Sequence, residues 1–287
     1  MAITPDYDLV ISGGTLVTAT ETMDADIAVQ DGRITAIGKR LGRAEHTIEA
    51  KGRLVLPGGI DTHAHIEQLS AMGATNADSF ESATRAAACG GTTSVICFAA
   101  QHRGNSLKSV VEAYHGRARA GAVIDYAMHM ILAEPTQKIL EEEVPPLIAA
   151  GHGSLKIFMT YDHVYVDDVG ILDVLVAARA GGAMVCVHAE NYGMITWISK
   201  RLIERGYTAP KYHGVSHPRG GEIEAITRII AFAEMLDQPI MIFHVSTAEG
   251  ASVIREARGR GVKVWGETCP QYLFLTKEVM DKPGYEG

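Results

Sequence analysis

The chain has 287 residues, of which 47% are hydrophobic and 21% charged, as in ordinary globular proteins and unlike disordered, collagen-like or coiled-coil chains. Its net charge of −8 argues against a nucleic-acid partner, because such a partner requires a basic face. No apolar run approaches the length of a membrane span, and the N-terminal segment lacks the basic and apolar regions of a secretory signal. The four cysteines form no C-x-x-C motif, which indicates buried, reduced thiols in a cytoplasmic protein.

Short strands separated by turns are predicted for the first 56 residues. Strand-like runs occur at 7–11, 26–29 and 33–37. Asp31-Gly32 lies between two alternating runs and predicts a hairpin. We therefore predict that residues 1–56 form a small antiparallel β unit, the N-terminal part of a β-sandwich domain.

From Leu54 onward, apolar strands alternate with amphipathic helices. The predicted strands are 54–60, 93–99, 125–132, 154–160, 184–190, 239–245 and 262–268. The predicted helices are 79–89, 106–119, 137–150, 168–180, 192–206, 221–236 and 248–260. This alternation predicts a parallel sheet covered by helices. Seven strands are one fewer than a (β/α)₈ barrel needs, so the pattern fits either an open sheet or a barrel with seven of its eight strands.

His63 and His65 follow the first of these strands in an H-x-H motif. Side chains alternate along a strand, so the two imidazoles point the same way and can form one edge of a metal site. In isolation, the motif fits two partly exposed loop histidines equally well.

Lys156 lies in the strand 154–160 with an apolar neighbour on either side. Alternation places Leu155, Ile157 and Met159 against the helices and directs Lys156 to the opposite face. An ammonium group buried there must be paired, neutralised or modified. A bond to a buried carboxylate is one such outcome, and a reactive neutral amine is another.

His188 and His244 stand near the carboxyl ends of two further strands, where parallel α/β folds place their sites. Four histidines and an inward-facing lysine at the same end of four strands predict a metal site. The other histidines show no such pattern, and most of them are expected at the surface or in loops. They are His46, His102, His115, His129, His152, His163, His213 and His217.

Four motifs then carry a resemblance to a known family. They are P-G-G-I-D-T-H-A-H at 57–65, S-L-K-I-F-M-T-Y at 154–161, V-H-A-E-N at 187–191 and G-E-T-C-P-Q-Y-L at 266–273. In this order and spacing the chain resembles the cyclic amidohydrolases, and within them the dihydropyrimidinase/D-hydantoinase family. The resemblance implies a TIM-type (β/α)₈ barrel, here with seven strands in residues 57–287, that holds two divalent metal ions, usually zinc.

The resemblance also implies roles for individual residues. His63 and His65 would bind one metal and His188 and His244 the other. Lys156, carbamylated by CO₂ or bicarbonate to N6-carboxylysine, would bridge them. Tyr161 matches the family's catalytic tyrosine, which binds the substrate and hydrogen-bonds the developing oxyanion. The implied reaction is hydrolysis of the cyclic amide bond of hydantoins or 5,6-dihydropyrimidines to N-carbamoyl amino acids, by a homo-oligomer (tetramer or dimer).

One part of the family pattern has no counterpart in these 287 residues. The remaining metal ligand and proton shuttle of the family is an aspartate at the end of the eighth strand, and its main-chain substrate contacts lie largely past the position of Gly287. We therefore expect the polypeptide to continue beyond Gly287.

Three alternatives to this function are considered. Dihydroorotase and allantoinase are related cyclic amidohydrolases, but Glu67 soon after H-x-H would repel the carboxylate of a dihydroorotate. A non-catalytic scaffold related to dihydropyrimidinase would have lost metal ligands, whereas this sequence retains five.

Overall fold

The computed structural model describes residues 5–70, 73–284 and 286. The chain divides into two compact units, Met1–Gly59 and Ile60–Gly287. No helix in the described part is long and apolar enough to cross a membrane. All four cysteines are free; Cys97 and Cys186 are buried as expected, whereas Cys89 is exposed at the end of a helix.

The first unit contains two small sheets. Its strands are β1 (Tyr7–Ser12), β2 (Thr15–Val17), β3 (Thr22–Asp24), β4 (Asp26–Gln30), β5 (Arg33–Gly38), β6 (Ala44–Glu49) and β7 (Leu54–Val55). One sheet has the order β5-β4-β1-β6 and the other β3-β2-β7. The pairs β1–β6 and β2–β7 are parallel, so the prediction of a purely antiparallel unit was wrong. The β-sandwich interpretation of residues 1–56 stays a prediction.

The predicted hairpin at Asp31-Gly32 joins β4 to β5. Both turn residues have positive φ, 52° for Asp31 and 70° for Gly32, as a two-residue hairpin turn with the right twist requires. The two strands pair antiparallel, with Gln30 opposite Arg33.

The second unit contains a seven-stranded sheet among its described residues. Its strands are β8 (Gly59–Ala64), β9 (Thr92–Ala100), β10 (Asp125–Ile131), β11 (Ser154–Phe158), β12 (Met184–His188), β13 (Ile240–Ile242) and β14 (Val264–Gly266). They lie side by side in chain order, and the neighbours from β9 to β14 pair in parallel. The predicted succession of strand–helix units is confirmed.

Helices connect these strands. They are α1 (Phe80–Cys89), α2 (Leu107–Gly121), α3 (Val144–Ala149), α4 (Asp168–Gly181), α5 (Tyr192–Glu204), α6 (His213–Ser216), α7 (Arg219–Leu236) and α8 (Ala248–Gly259). Side-chain N-caps begin most of the longer ones; Thr247, for example, accepts a hydrogen bond from the backbone of Gly250 at the start of α8. Apolar faces of α4 and α7 pack on the sheet beside Leu155, Val185 and Ile240, none of which is exposed.

The sheet is curled. The side chain of His63 in the first strand contacts Glu267, one residue after the last strand, and Thr62 Oγ1 lies 3.5 Å from the same carboxylate. Two edge strands of a flat seven-stranded sheet would be about 28 Å apart, at roughly 4.8 Å per strand, and no side-chain pair could span that distance. The curvature is that of a TIM-type barrel, and it brings the carboxyl ends of all seven strands around one point.

Four predicted elements differ clearly from the structure. The run 54–60 is not one strand: Pro57 and Gly58 separate β7 from β8, because proline cannot donate a ladder hydrogen bond. The predicted helix 137–150 is a π-helical turn, Ile139–Glu143, that continues into α3. The strands β13 and β14 are only three residues long, and beyond β13 the backbone of His244 has a φ of 41° and leaves the extended conformation.

Candidate metal centre

The structure brings the predicted ligand residues together at the carboxyl end of the sheet. His63 lies in β8, Lys156 in β11, His188 at the end of β12, and His244 two residues after β13. The ring centroids of His63 and His244 are 5.5 Å apart, and those of His188 and His244 are 4.5 Å apart. His65, just past β8, lies 5.2 Å from His63 and stacks on Phe98. Four imidazoles from three strands therefore share one small region.

Three of the four histidines each have one ring nitrogen in contact with a neighbouring polar side chain. His63 Nδ1 contacts the Glu267 carboxylate. His65 Nδ1 is 2.6 Å from Gln68 Oε1, and His188 Nε2 is 2.7 Å from Glu190 Oε2. Such bonds fix the ring orientation and tautomer of metal-binding histidines and leave the other nitrogen free to bind the ion.

Glu267 was not singled out from the sequence, although it lies in the motif G-E-T-C-P-Q-Y-L. Its carboxylate reaches His63 only because the sheet curls. It supplies a negative charge beside an imidazole that already faces the site, which raises the basicity of the free nitrogen.

Lys156 is the most unusual group of the centre. It is 1% exposed, and its Nζ has no hydrogen-bond partner among the described residues. The nitrogen lies 4.2 Å from the ring centre of Phe243 and 4.8 Å from that of Phe158. Burial lowers the pKa of this amine from 10.5 to about 7, because desolvation disfavours the ammonium form. A large fraction of Lys156 is therefore an uncharged, nucleophilic amine near neutral pH.

Three imidazoles near Lys156, those of His65, His188 and His244, are held in their neutral form. Burial, followed by the neighbouring His188, lowers the pKa of His244 to about 2. Burial likewise lowers the pKa of His65 and, well below 6.5, that of His188. A neutral imidazole is the form that binds a metal ion.

The residues present could hold a metal pair only if a further ligand joins the histidines. Taken without Lys156, the described His, Cys, Asp and Glu side chains form no group of three arranged to hold a metal. The Lys156 amine has no hydrogen-bond partner among the described residues. It lies close enough to His65, His188 and His244 to lower the pKa of each, so a ligand formed on it would be near these imidazoles. The metal site predicted from the sequence stays a prediction.

Tyr161 lies three residues after β11, beside the histidines. Its ring centroid is 5.0 Å from that of His188, and the side chain remains 40% exposed. Burial of the hydroxyl and the nearby Glu190 carboxylate raise the pKa of Tyr161 above its ordinary value. The phenol thus stays protonated and can donate a hydrogen bond.

The backbone is strained at two residues of this region. Tyr161 has a φ of 71° and His244 a φ of 41°, in the left-handed region that residues other than glycine and asparagine avoid. Residues held in such conformations cluster at functional sites, where the surrounding structure enforces them.

A cleft of about 580 Å³ opens beside the centre. Tyr161, His188, Glu190 and His244 line its inner wall, and the segment after β14 contributes Tyr272. The volume suits a small molecule, and the polar lining suits one rich in carbonyl and N–H groups.

His129 is an exception to the expectation that most of the remaining histidines are surface or loop residues. This residue lies in β10 and is only 6% exposed. Its Nε2 is 3.0 Å from the Thr62 carbonyl and its Nδ1 is 2.6 Å from Ser154 Oγ. Desolvation lowers its pKa to about 4, so it acts as a neutral hydrogen-bonding link between three strands. The sequence contains one signal for this burial: His129 stands between two methionines, in the run M-H-M of a predicted strand, with no polar neighbour on either side.

Solved and curated proteins resemble this chain over nearly its whole length. A D-hydantoinase of Ralstonia pickettii is 44% identical over 282 residues, which cover 98% of this chain and 61% of that protein. A D-phenylhydantoinase of Escherichia coli is 36% identical over 281 residues, covering 95% of this chain and 59% of the relative. The chain thus spans about three-fifths of the length of the relatives it matches.

Known structures and the family profile agree with these relatives. A solved D-hydantoinase structure superposes with a TM-score of 0.94 at 43% identity, over 97% of this chain and 61% of that chain. The dihydropyrimidinase of Brevibacillus agri gives a TM-score of 0.93 at 39% identity, over 96% of this chain and 60% of that chain. The profile of the amidohydrolase family matches residues 54–269. The predicted resemblance to the dihydropyrimidinase/hydantoinase group is confirmed, and the chain belongs to the amidohydrolase family.

Proposed function

We propose that the protein hydrolyses the cyclic amide bond of hydantoins or 5,6-dihydropyrimidines and releases N-carbamoyl amino acids. The observation that carries the proposal is the buried Lys156 amine, which has no hydrogen-bond partner among the described residues and lies near the neutral His65, His188 and His244. The names of the relatives, D-hydantoinase and D-phenylhydantoinase, give the substrate class.

The proposal includes a modification of Lys156. A neutral amine attacks CO₂, a carbon–nitrogen bond forms, one proton leaves the nitrogen, and the product is a carbamate anion. The low pKa of Lys156 favours the attacking form. The carbamate replaces an amine that has no hydrogen-bond partner with an anion of two oxygens, which can bridge two metal ions.

Two divalent cations, which we propose are zinc, fit the resulting ligand set. His63 and His65 would hold one ion, and His188 and His244 would hold the other. Lys156, as its carbamate, would bind both ions. Metal ions in such a site lower the pKa of water and polarise a carbonyl group. The charge of Glu267 beside His63 and of Glu190 beside His188 orients two of these ligands.

Tyr161 is the residue that we propose stabilises the transition state. Attack on the ring carbonyl moves negative charge onto its oxygen, and the protonated phenol of Tyr161 donates a hydrogen bond to that oxygen. Its remaining exposure and its position on the cleft wall make the hydroxyl accessible to a bound ring. A donor that is already in place acts most strongly on the charge that develops during the reaction.

The structure gives the Glu67 carboxylate a partner. It accepts a hydrogen bond from the backbone of Phe80, 3.1 Å away, at the N-terminus of α1. One hydrogen bond does not remove the charge of a carboxylate, so the expectation that Glu67 would repel dihydroorotate stays a prediction. The choice among cyclic amides rests on experiment.

A substrate panel tests the proposal. Dihydrouracil, 5-phenylhydantoin, dihydroorotate and allantoin are offered to the metal-free and to the zinc-loaded protein, and ring opening is followed by loss of absorbance and by product mass. We expect zinc-dependent opening of dihydrouracil or 5-phenylhydantoin, and none by His188→Ala. The matched control is His46→Ala, which alters an exposed histidine of the first unit. Turnover of only allantoin or only dihydroorotate would reassign the substrate, and no turnover with two metals bound would favour a scaffold.

Two further predictions remain open. The homo-oligomer (tetramer or dimer) that the family resemblance implies stays a prediction, which light scattering of the purified protein would test. The expected cytoplasmic location likewise stays a prediction.

A further inference from the structure

Residues 159–167, here named the Tyr161 loop, connect β11 to α4. The loop folds back on itself: the amides of Val164 and Tyr165 both donate to the Tyr161 carbonyl, at 3.0 and 2.7 Å. The amide of Val166 donates to Phe158, which closes the loop at its base. These bonds fix the strained backbone of Tyr161 relative to the rest of the loop, but they do not fix the position of the loop relative to the cleft.

Two side chains from other elements hold the loop from outside. Tyr192, the first residue of α5, donates its hydroxyl to Asp162 at 2.5 Å, and its ring stacks on that of Tyr165 at 4.4 Å. Arg103, in the segment after β9, donates to the carbonyls of His163 and Tyr165, at 3.3 and 2.9 Å. The residue next to Tyr161 is thus tied to one helix, and two later residues of the loop to the segment after β9.

Both anchors are themselves fixed. Asn191, the residue before Tyr192, caps α5 and bonds to the carbonyl of Gly221 and the carboxylate of Glu224 in α7. The segment of Arg103 is held by a bond from the Gly104 amide to Glu134 at 2.7 Å. A loop tied to two fixed points has few alternative positions.

We propose that Tyr192, through Asp162, is a positioning residue that holds the Tyr161 hydroxyl at the reacting carbonyl, with Arg103 as a second support of the same loop. This inference rests on the proposed function of Tyr161. Tyr192 is bound to Asp162 and has no part in the metal ligand set, so it acts only through the loop.

The central experiment uses the zinc-loaded protein and the variant Tyr192→Phe, which keeps the stacked ring and removes the hydroxyl. We expect kcat to fall about tenfold, because loss of one such hydrogen bond lets the loop leave its productive position, while KM changes less than about twofold. Tyr207→Phe is the matched control, since Tyr207 lies past the end of α5 and packs on Tyr212. The control should keep full activity.

Variants of the acceptor separate a positional from a general structural role. Asp162→Asn keeps an acceptor oxygen and should retain most of the activity, whereas Asp162→Leu should match Tyr192→Phe. In a Tyr161→Phe background, Tyr192→Phe should cause no further loss, because there is no longer a hydroxyl to position. An equal loss in both backgrounds, or an unchanged kcat in Tyr192→Phe, would overturn the inference.

Hydrogen exchange separates failure of this inference from failure of the proposed function. The amides of Val164 and Tyr165 should exchange faster in Tyr192→Phe than in the Tyr207→Phe control, whether or not any cyclic amide is hydrolysed. If no substrate is turned over, the proposed function fails, and faster exchange would still support the attachment of the loop by Tyr192. Unchanged exchange at these amides would refute the attachment whatever the activity.

Discussion

Lys156→Met should change the pH dependence of stability in the metal-free protein. In the native protein the buried amine of Lys156 titrates at about 7, and in the unfolded chain at the ordinary lysine value of 10.5. Between these two pH values the unfolded chain binds a proton that the native state does not, so the free energy of unfolding rises with pH. Methionine has a similar length and no charge, and it removes this dependence.

The size of the effect follows from the two pKa values. With one proton linked to unfolding, the burial of Lys156 costs about 4 kcal/mol at pH 7 and about 2 kcal/mol at pH 9. The wild type should therefore gain about 2 kcal/mol of stability over this interval from Lys156 alone. The free energy of unfolding of Lys156→Met should exceed that of the wild type at pH 7, and this difference should be smaller by the same amount at pH 9.

Urea unfolding at pH 7 and pH 9, in degassed buffer with a chelator, measures the difference. Both tryptophans, Trp197 and Trp265, lie in the second unit, so their fluorescence reports on the unit that contains Lys156. Lys200→Met, at an exposed lysine of α5, is the control and should show no pH-dependent difference from the wild type. A difference between Lys156→Met and the wild type that stays constant from pH 7 to pH 9 would refute the reasoning.

Four further outcomes are expected. Tyr161→Phe should lower kcat about a hundredfold with KM nearly unchanged, since it removes one donor to the oxyanion; a raised KM with normal kcat in steady-state assays would make Tyr161 a binding residue only. Lys156→Ala should lose bound metal and activity together, as metal analysis and turnover would show, and acetate or propionate should restore part of both. Chelation should abolish turnover, and zinc should restore it in the wild type but not in His188→Ala. Burial, and then the facing His115, lower the pKa of His152. Below about pH 6.5 the unfolded chain therefore binds more protons at His152 than the native state does, and the wild type loses stability. In urea titrations His152→Gln should lose less stability than the wild type as the pH falls to 5.

Much of the second unit could be predicted because its signals are local. Alternation in S-L-K-I-F placed Lys156 on the face opposite Leu155 and Ile157, and the structure buries all three as predicted. H-x-H and the histidines near the strand ends depend on the same local pattern. The lengths of the last strands were overestimated because nothing local indicates that the backbone of His244 turns into the left-handed region.

The contacts that complete the centre could not be predicted, because they depend on curvature. Glu267 is one acidic residue among 34, and only the approach of β14 to β8 gives it a partner in His63. His129 becomes a link to Thr62 for the same reason. The attachment of Asp162 to Tyr192 requires knowing that the loop after β11 lies beside the start of α5, which neither segment shows by itself.

The contact between His63 and Glu267 also has a consequence for the order of folding. The two residues are 204 positions apart in the chain, whereas Lys156 and Cys186, paired in neighbouring strands, are 30 apart. Direct closure of the longer loop costs about 2 kcal/mol more in chain entropy, so neighbouring strands should pair first and shorten the distance step by step. During synthesis, the strands of His63, Lys156 and His188 leave the ribosome well before residue 267. The orientation of the first histidine by its carboxylate is therefore among the last events of folding. If the proposed metal site is correct, a second unit that binds metal with native affinity has a sheet that is already curled.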